Sequence, residues 1–209
     1  MPGFDVILAF FGASFLLGLA PGPDNIFVLA QAALHGAMAG IMTTLGLMTG
    51  LCIQTLAVAA GVAVIFQTSA LAFNLLKFAG CAYLLWLAWL EWRSGAAHAS
   101  VRGNTAFCGY GALFRRGIIM NITNPKVCIF FLAFLPQFCD PAKGTMFGQI
   151  IFLGLLFILA TAIVFFAASI LGGKLAGWLK KSERAQVMIH KVAAMIFVGL
   201  ALALILAEK

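Results

Sequence analysis

The chain of 209 residues is 64% hydrophobic and only 9% charged, against about 25% charged residues in a soluble domain, and this excludes a soluble globular protein. Six bilayer-crossing helices need roughly 20 apolar residues each, which leaves short connections and no room for a second, water-soluble domain. The 13 Lys and Arg outnumber the 6 Asp and Glu, and in a membrane protein their placement says more than their sum.

Met1-Pro2-Gly3-Phe4-Asp5 carries no Lys or Arg, so the apolar run behind it lacks the basic start of a cleaved signal and is expected to be retained. Apolar segments follow at Val6 to Leu34, Gly40 to Phe66, Leu71 to Trp92, Gly117 to Phe138, Thr145 to Leu171 and Val187 to Ala207. Each is long enough to span about 30 Å of hydrocarbon. The expected fold is an all-α membrane protein of six transmembrane helices, a single domain over 1–209. Gln67, Thr68 and Ser69 alone separate the second and third segments, which predicts an antiparallel helical hairpin. Pro21-Gly22-Pro23 interrupts the first segment and Pro125 the fourth. Proline removes a backbone donor, so both helices are expected to be broken or kinked there.

Basic residues gather in two connections: Arg93, Arg102, Arg115 and Arg116 after the third segment, and Lys174, Lys180, Lys181, Arg184 and Lys191 around the fifth-to-sixth link. In a six-span chain both lie on one side, which the positive-inside rule makes cytoplasmic, with both termini outside. These charges fix orientation and meet anionic lipid; a nucleic-acid site would want interleaved aromatics on a soluble face. The Gly- and Ala-rich stretch from Gly95 to Gly111 reads as part of a linker, about 93–111, between a first repeat, about 4–92, and a second, about 112–209.

Three helices followed by three inserted the other way is the inverted repeat of many secondary transporters. Setting Leu17 to Phe27 against Met120 to Ile129 places Pro23 opposite Pro125 and Asp24 opposite Lys126. A charge at the bilayer centre costs at least about 2.5–3.5 kcal/mol on insertion scales, so neither faces lipid. Each is expected to face the bundle interior, paired with the other, with a half-helix terminus or with a ligand, so that the two either only fix packing or form part of a site. The prolines favour a site, because broken backbone at membrane depth is tolerated where it is buried or lines a cavity. One anionic and one cationic group there suit a zwitterion such as a free amino acid.

Thr43, Thr44, Thr49, Gln54 and Thr55 on the second segment either extend that cavity or bond between helices. Gly46 and Gly50 form G-x-x-x-G, which serves internal helix contact or a homodimer. Lys77 either snorkels to the outer headgroups or takes a gating or substrate role. Of the aromatics Tyr83, Trp86, Trp89 and Trp92, the later members read as interfacial anchors. The five cysteines contain no C-x-x-C pair and read as small packing residues.

Several stretches resemble the LysE/RhtB family of bacterial amino-acid exporters: Pro21-Gly22-Pro23-Asp24-Asn25 with the Gly36, Gly40, Gly46 and Gly50 series; Lys77 to Leu84; and Gly117 to Lys126 with Phe130-Phe131 and Leu135-Pro136-Gln137-Phe138. The Trp-rich Leu85 to Trp89 departs from the small, Gly-containing end usual there. The resemblance implies a secondary exporter of amino acids or close derivatives in the bacterial inner membrane, coupled to protons, with Asp24, Asn25, Asn124 and Lys126 at the matching motif positions. It implies no enzyme and no cofactor. Alternating access would present the substrate carboxylate to Lys126 and its ammonium to Asp24, whose protonation is the expected coupling step.

Three rival classes are weaker. A membrane disulfide-transfer carrier needs exchanging cysteines in both halves, yet Cys128 aligns with Ile26. A membrane hydrolase is not supported by His35, His98 and His190, which form no metal-ligand motif. A metal-cation exporter needs clustered intramembrane ligands, and Asp24 alone is poor support.

Overall fold

The computed structural model describes residues 2–68, 70–94 and 107–206, with side chains 62–68, 70–73, 76, 173, 175–181 and 183 left aside. Every regular element in it is helical: α1 (Phe4–Leu19), α2 (Pro23–His35), α3 (Ala37–Thr68), α4 (Ala70–Arg93), α5 (Tyr110–Thr123), α6 (Pro125–Ile129), α7 (Met146–Lys181) and α8 (Glu183–Leu206). A π-helical turn at Phe130–Phe134 and 3-10 turns at Leu135–Phe138 and Pro141–Lys143 lie between α6 and α7. Three stretches are long and apolar enough to cross a membrane, Ala37–Gly61, Met146–Gly172 and Arg184–Leu206, and two bent helix pairs would raise this to five. The chain is thus a multi-span helical membrane protein.

Both expected breaks are present. α1 and α2 meet at 58° across Ala20 to Gly22, and α5 meets the Pro125–Phe138 segment at 49°. Proline sits at the first turn of α2 and of α6, where its missing N–H is no loss and its fixed φ suits a new helix. α2 ends at Gly36, whose φ of 85° favours glycine and lets one residue turn the chain into α3.

The helix ends depart from the apolar boundaries. α7 continues to Lys181 and α8 starts at Glu183, so the basic link between them is almost wholly helical rather than a loop. Lys, Leu and Ala keep good helix propensity in water, and Ser182 accepts the Ala185 N–H at 3.2 Å to restart the helix. The hairpin expected between the second and third helices has its connection at position 69, outside the described residues. Among those described, α4 packs on α8 and on the π turn far more than on α3. The linker residues 95–106, with His98 and Arg102, likewise lie outside the described residues.

α3 packs mainly on α5 and α7, and α7 on α1, α2 and α3. Small residues set these crossings. A Cβ on Gly46 would collide with the Phe114 carbonyl oxygen, and one on Gly50 with Asn121, so the G-x-x-x-G face is spent on internal contact with α5. Beyond the breaks, Phe10, Phe130, Phe131 and Phe157 are among the largest fully buried side chains. Phe10 meets Phe130 at 6.0 Å and Phe138 at 5.1 Å, and Phe130 meets Phe157 at 5.1 Å. These rings bind α1 to the irregular segment after α6 and to α7. Trp86, Trp89 and Trp92 are more than half exposed on the outside of α4, where Arg93 lies over Trp89 at 4.7 Å and Lys191 over Trp92 at 5.6 Å.

Candidate functional site

A helix ends with carbonyls that have no partner in the next turn, and the break after α1 leaves such groups deep in the bundle. The Ala20 N–H closes on the Leu16 carbonyl at 3.0 Å. Asn25 Nδ2 donates back to the Gly18 carbonyl at 2.6 Å. The ammonium of Lys126 reaches across from the other half and donates to the carbonyls of Ala20 at 3.0 Å and Leu17 at 3.4 Å. A methyl group on Gly22 would stand 3.0 Å from that ammonium, so glycine here keeps its approach open. A cation at a helix C-terminus also meets the negative end of the helix dipole.

The second break has an analogous arrangement. The Asn124 N–H closes on the Asn121 carbonyl at 3.1 Å, which also accepts Gln54 Nε2 at 2.8 Å. Cys128 Sγ lies 3.2 Å from the Ile122 carbonyl. Asn124 then starts α6, its Oδ1 accepting the Lys126 backbone N–H at 3.0 Å. Gln54→Leu is expected to leave the Asn121 carbonyl short of one bond and lower stability by about 1 kcal/mol, read as a drop in melting temperature in detergent.

Asp24 stands in the first turn of α2, where the helix dipole favours an anion. It is 3% exposed, and Lys126 is 7% exposed. The two charges act on each other, but among the described residues no ion pair joins them. Instead the Asn121 and Asn124 side chains flank the Asp24 carboxylate. Oδ1 of Asp24, Oδ1 of Asn25, Oδ1 of Asn121 and Nδ2 of Asn124 are buried and make no hydrogen bond within the protein. Unsatisfied polar atoms of this kind are costly, and four gathered around two helix breaks mark a place prepared for a polar partner.

Asp24, Asn25, Asn121 and Lys126 line one cavity together with Leu17, Phe157 and Thr161. Its volume of about 20 Å³ has room for one water molecule. The structure therefore brings together Asp24, Asn25 and Lys126, with Asn124 beside them. Lys77 is half-buried on α4 and does not line this cavity. Nor do the α3 hydroxyls extend it: Thr43, Thr49 and Thr55 each bond to the carbonyl one turn back, and Thr44 meets Ser169 at 3.1 Å. Asn121 and Thr161 were missed by sequence reasoning; Asn121 stands in the Asn-Ile-Thr-Asn-Pro run, whereas nothing local marks Thr161.

A second polar contact was also missed. His190, for which the sequence offered no partner, lies inside α8 and meets Glu91 of α4 at 2.6 Å. Among the described residues no group of three His, Cys, Asp or Glu side chains could hold a metal ion.

The sequence profile of the LysE type translocators matches residues 15–208. The chain is 35% identical over 178 residues, 85% of each chain, to a homoserine/homoserine lactone efflux protein of Salmonella typhimurium. It is 30% identical over 194 residues, 93% of each chain, to an uncharacterized membrane protein of Vibrio cholerae. A leucine efflux protein of Klebsiella pneumoniae is 29% identical over 197 residues, 91% of this chain and 89% of the relative. No solved structure matches. A match across nearly the whole length joins the broken, oppositely charged helices to a family of carriers rather than enzymes: the chain belongs to the LysE type translocators and is an exporter of small molecules.

Proposed function

We propose that this protein exports amino acids or close derivatives across the bacterial inner membrane by proton-coupled alternating access. Two of the relatives described above are efflux proteins for homoserine or its lactone and for leucine, which supports that substrate class. In this reading α4 supplies a sixth span, so the chain forms two inverted three-helix repeats with basic segments cytoplasmic and both termini outside. The packing supports the repeat: α3 pairs with α7 and α4 with α8, while α1 against α7 is matched by α5 against α3.

The carrying observation is that Asp24 and Lys126, one from each break, line a single cavity among unsatisfied amide oxygens. The substrate ammonium meets Asp24, with Asn25 and Asn124 contributing polar contacts. The substrate carboxylate takes the Lys126 ammonium from the Leu17 and Ala20 carbonyls. Releasing those carbonyls loosens the end of α1, which ties binding to movement of one half against the other. A cavity with room for one water does not hold an amino acid, so the site must widen to load. After release outside, Asp24 takes a proton, and its return to the cytoplasmic side resets the carrier.

Asp24→Asn keeps size and removes the titrating group. In proteoliposomes loaded with homoserine or leucine, proton-driven transport is expected to fall at least about tenfold, the loss of a charge-assisted hydrogen bond. Unchanged proton-driven transport would overturn the role given to Asp24.

A further inference from the structure

The central site accounts for Asp24 and Lys126 but leaves one half-buried titratable pair unused. Glu91, near the end of α4, and His190, inside α8, approach to 2.6 Å, with side chains only 17% and 21% exposed. A separation that short is that of a charge-assisted hydrogen bond. Two helices that already pack along their length, with Cys81 Sγ 3.8 Å from the Ala201 carbonyl farther along, do not need an ionisable pair to hold them. In the proposed topology the pair lies toward the basic, cytoplasmic ends of α4 and α8, next to Arg93 and Lys191, and Asp, Glu and His side chains are the groups that relay protons in carriers. Imidazole is also the one ordinary side chain that changes charge near neutral pH.

The surroundings suit a proton that comes and goes. Arg93 and Lys191 flank the pair on its own helices, but each lies over a ring, Trp89 and Trp92. From the segment after the second break, which packs on α4, the charged side chain is Lys126. From α7, Lys174 is exposed, and side chains 175–181 lie outside the described residues. Lys126 lines the central cavity with Asp24 and stands on the segment against which α4, the helix of Glu91, packs.

We propose that the Glu91–His190 pair is a second proton site of the carrier, which takes the proton released by Asp24 and passes it to the cytoplasm. The proposal rests on the proton-coupled reading above. The balance is simple: the Asp24 carboxyl loses one proton and becomes the anion that the next substrate ammonium requires, the pair gains that proton, and the pair then loses it to water. Protonating the pair removes one negative charge from the helix packed on the segment that carries Lys126, and this is its route to the central site.

The test separates substrate movement from proton movement. Wild type, Glu91→Gln, Glu91→Asp and His190→Gln are reconstituted and assayed for substrate–substrate exchange at equal pH, and for net transport driven by a pH gradient with the cytoplasmic-side pH varied from about 6 to 8. Expected is exchange within about twofold of wild type in all variants. Net transport should fall at least about tenfold in Glu91→Gln and His190→Gln, with its pH dependence flattened, and Glu91→Asp should restore the pH dependence. If net transport keeps its rate and pH profile in both neutral variants, or if exchange and net transport fall together in both, the pair is an interhelical clasp and the proposal is overturned. A wild type that exchanges homoserine or leucine but ignores the pH gradient would overturn the proton-coupled reading itself, which distinguishes the two failures.

Discussion

Lys126→Met is expected to abolish export while leaving a folded protein. The substitution keeps the length of the side chain and removes the charge that reaches the end of α1, so the Leu17 and Ala20 carbonyls lose a donor. Each buried carbonyl left without a partner costs about 1–3 kcal/mol, but removing the ammonium also removes its own desolvation penalty. The net loss of stability should therefore be about 1–2 kcal/mol, seen as a modest fall in melting temperature in detergent. Transport should fall far more, at least about a hundredfold in initial rate, because a substrate carboxylate has no cation to displace from the carbonyls. Lys126→Arg separates charge from geometry. Gly22 already stands close to the Lys126 ammonium and to its Cε, at 3.0 and 3.4 Å from an added methyl, so the broader guanidinium does not fit and should not restore export. Export within twofold of wild type in Lys126→Met would remove the cation from the mechanism.

That experiment also shows which part of the site is legible in the sequence. Proline and charge are local signals, so the amino-acid order alone places the breaks at Pro21 to Pro23 and at Pro125 and singles out Asp24 and Lys126. It does not reveal which carbonyls Lys126 reaches. That ammonium bonds to a carbonyl 106 residues away, and backbone carbonyls carry no residue identity for a pattern to find. The charges were expected to pair with each other, with a half-helix terminus or with a ligand; in the structure Lys126 meets the end of α1, and Asp24 stands between the Asn121 and Asn124 side chains. The same limit applies to Glu91 and His190, which are 99 residues apart and become partners only because α4 packs on α8. Helix type was hidden as well: Phe130 to Phe138 reads as continuous apolar sequence, yet it turns through π and then 3-10 geometry. π turns cluster at functional sites, and here Phe130 and Phe131 pack on Phe157, which lines the cavity.

The crossing of α3 and α5 carries the second large prediction. Gly46→Val and Gly117→Val are expected to destabilise by about 3 kcal/mol or more, at the upper end of overpacking effects, because the first obstacle is backbone and not a flexible side chain. A Cβ on Gly46 meets the Phe114 carbonyl, and one on Gly117 meets the Thr43 carbonyl and Gly46 itself. In contrast, a Cβ on Gly61 of the same α3 meets nothing within 4 Å. Gly61→Ala should thus gain up to about 1 kcal/mol from helix propensity alone. Melting temperatures and the folded yield in detergent would rank the three, and equal behaviour of Gly46→Val and Gly61→Ala would show that the helices do not cross so closely. The consequence reaches the site through α5. That helix is pressed against α3 at Gly46 and Gly117, and its end is then fixed by Gln54 on the Asn121 carbonyl. Pushing α5 outward by a methyl group would carry Asn121 and the start of α6 away from Asp24. Glycine at the crossing is therefore what lets two oppositely charged helix breaks share one cavity.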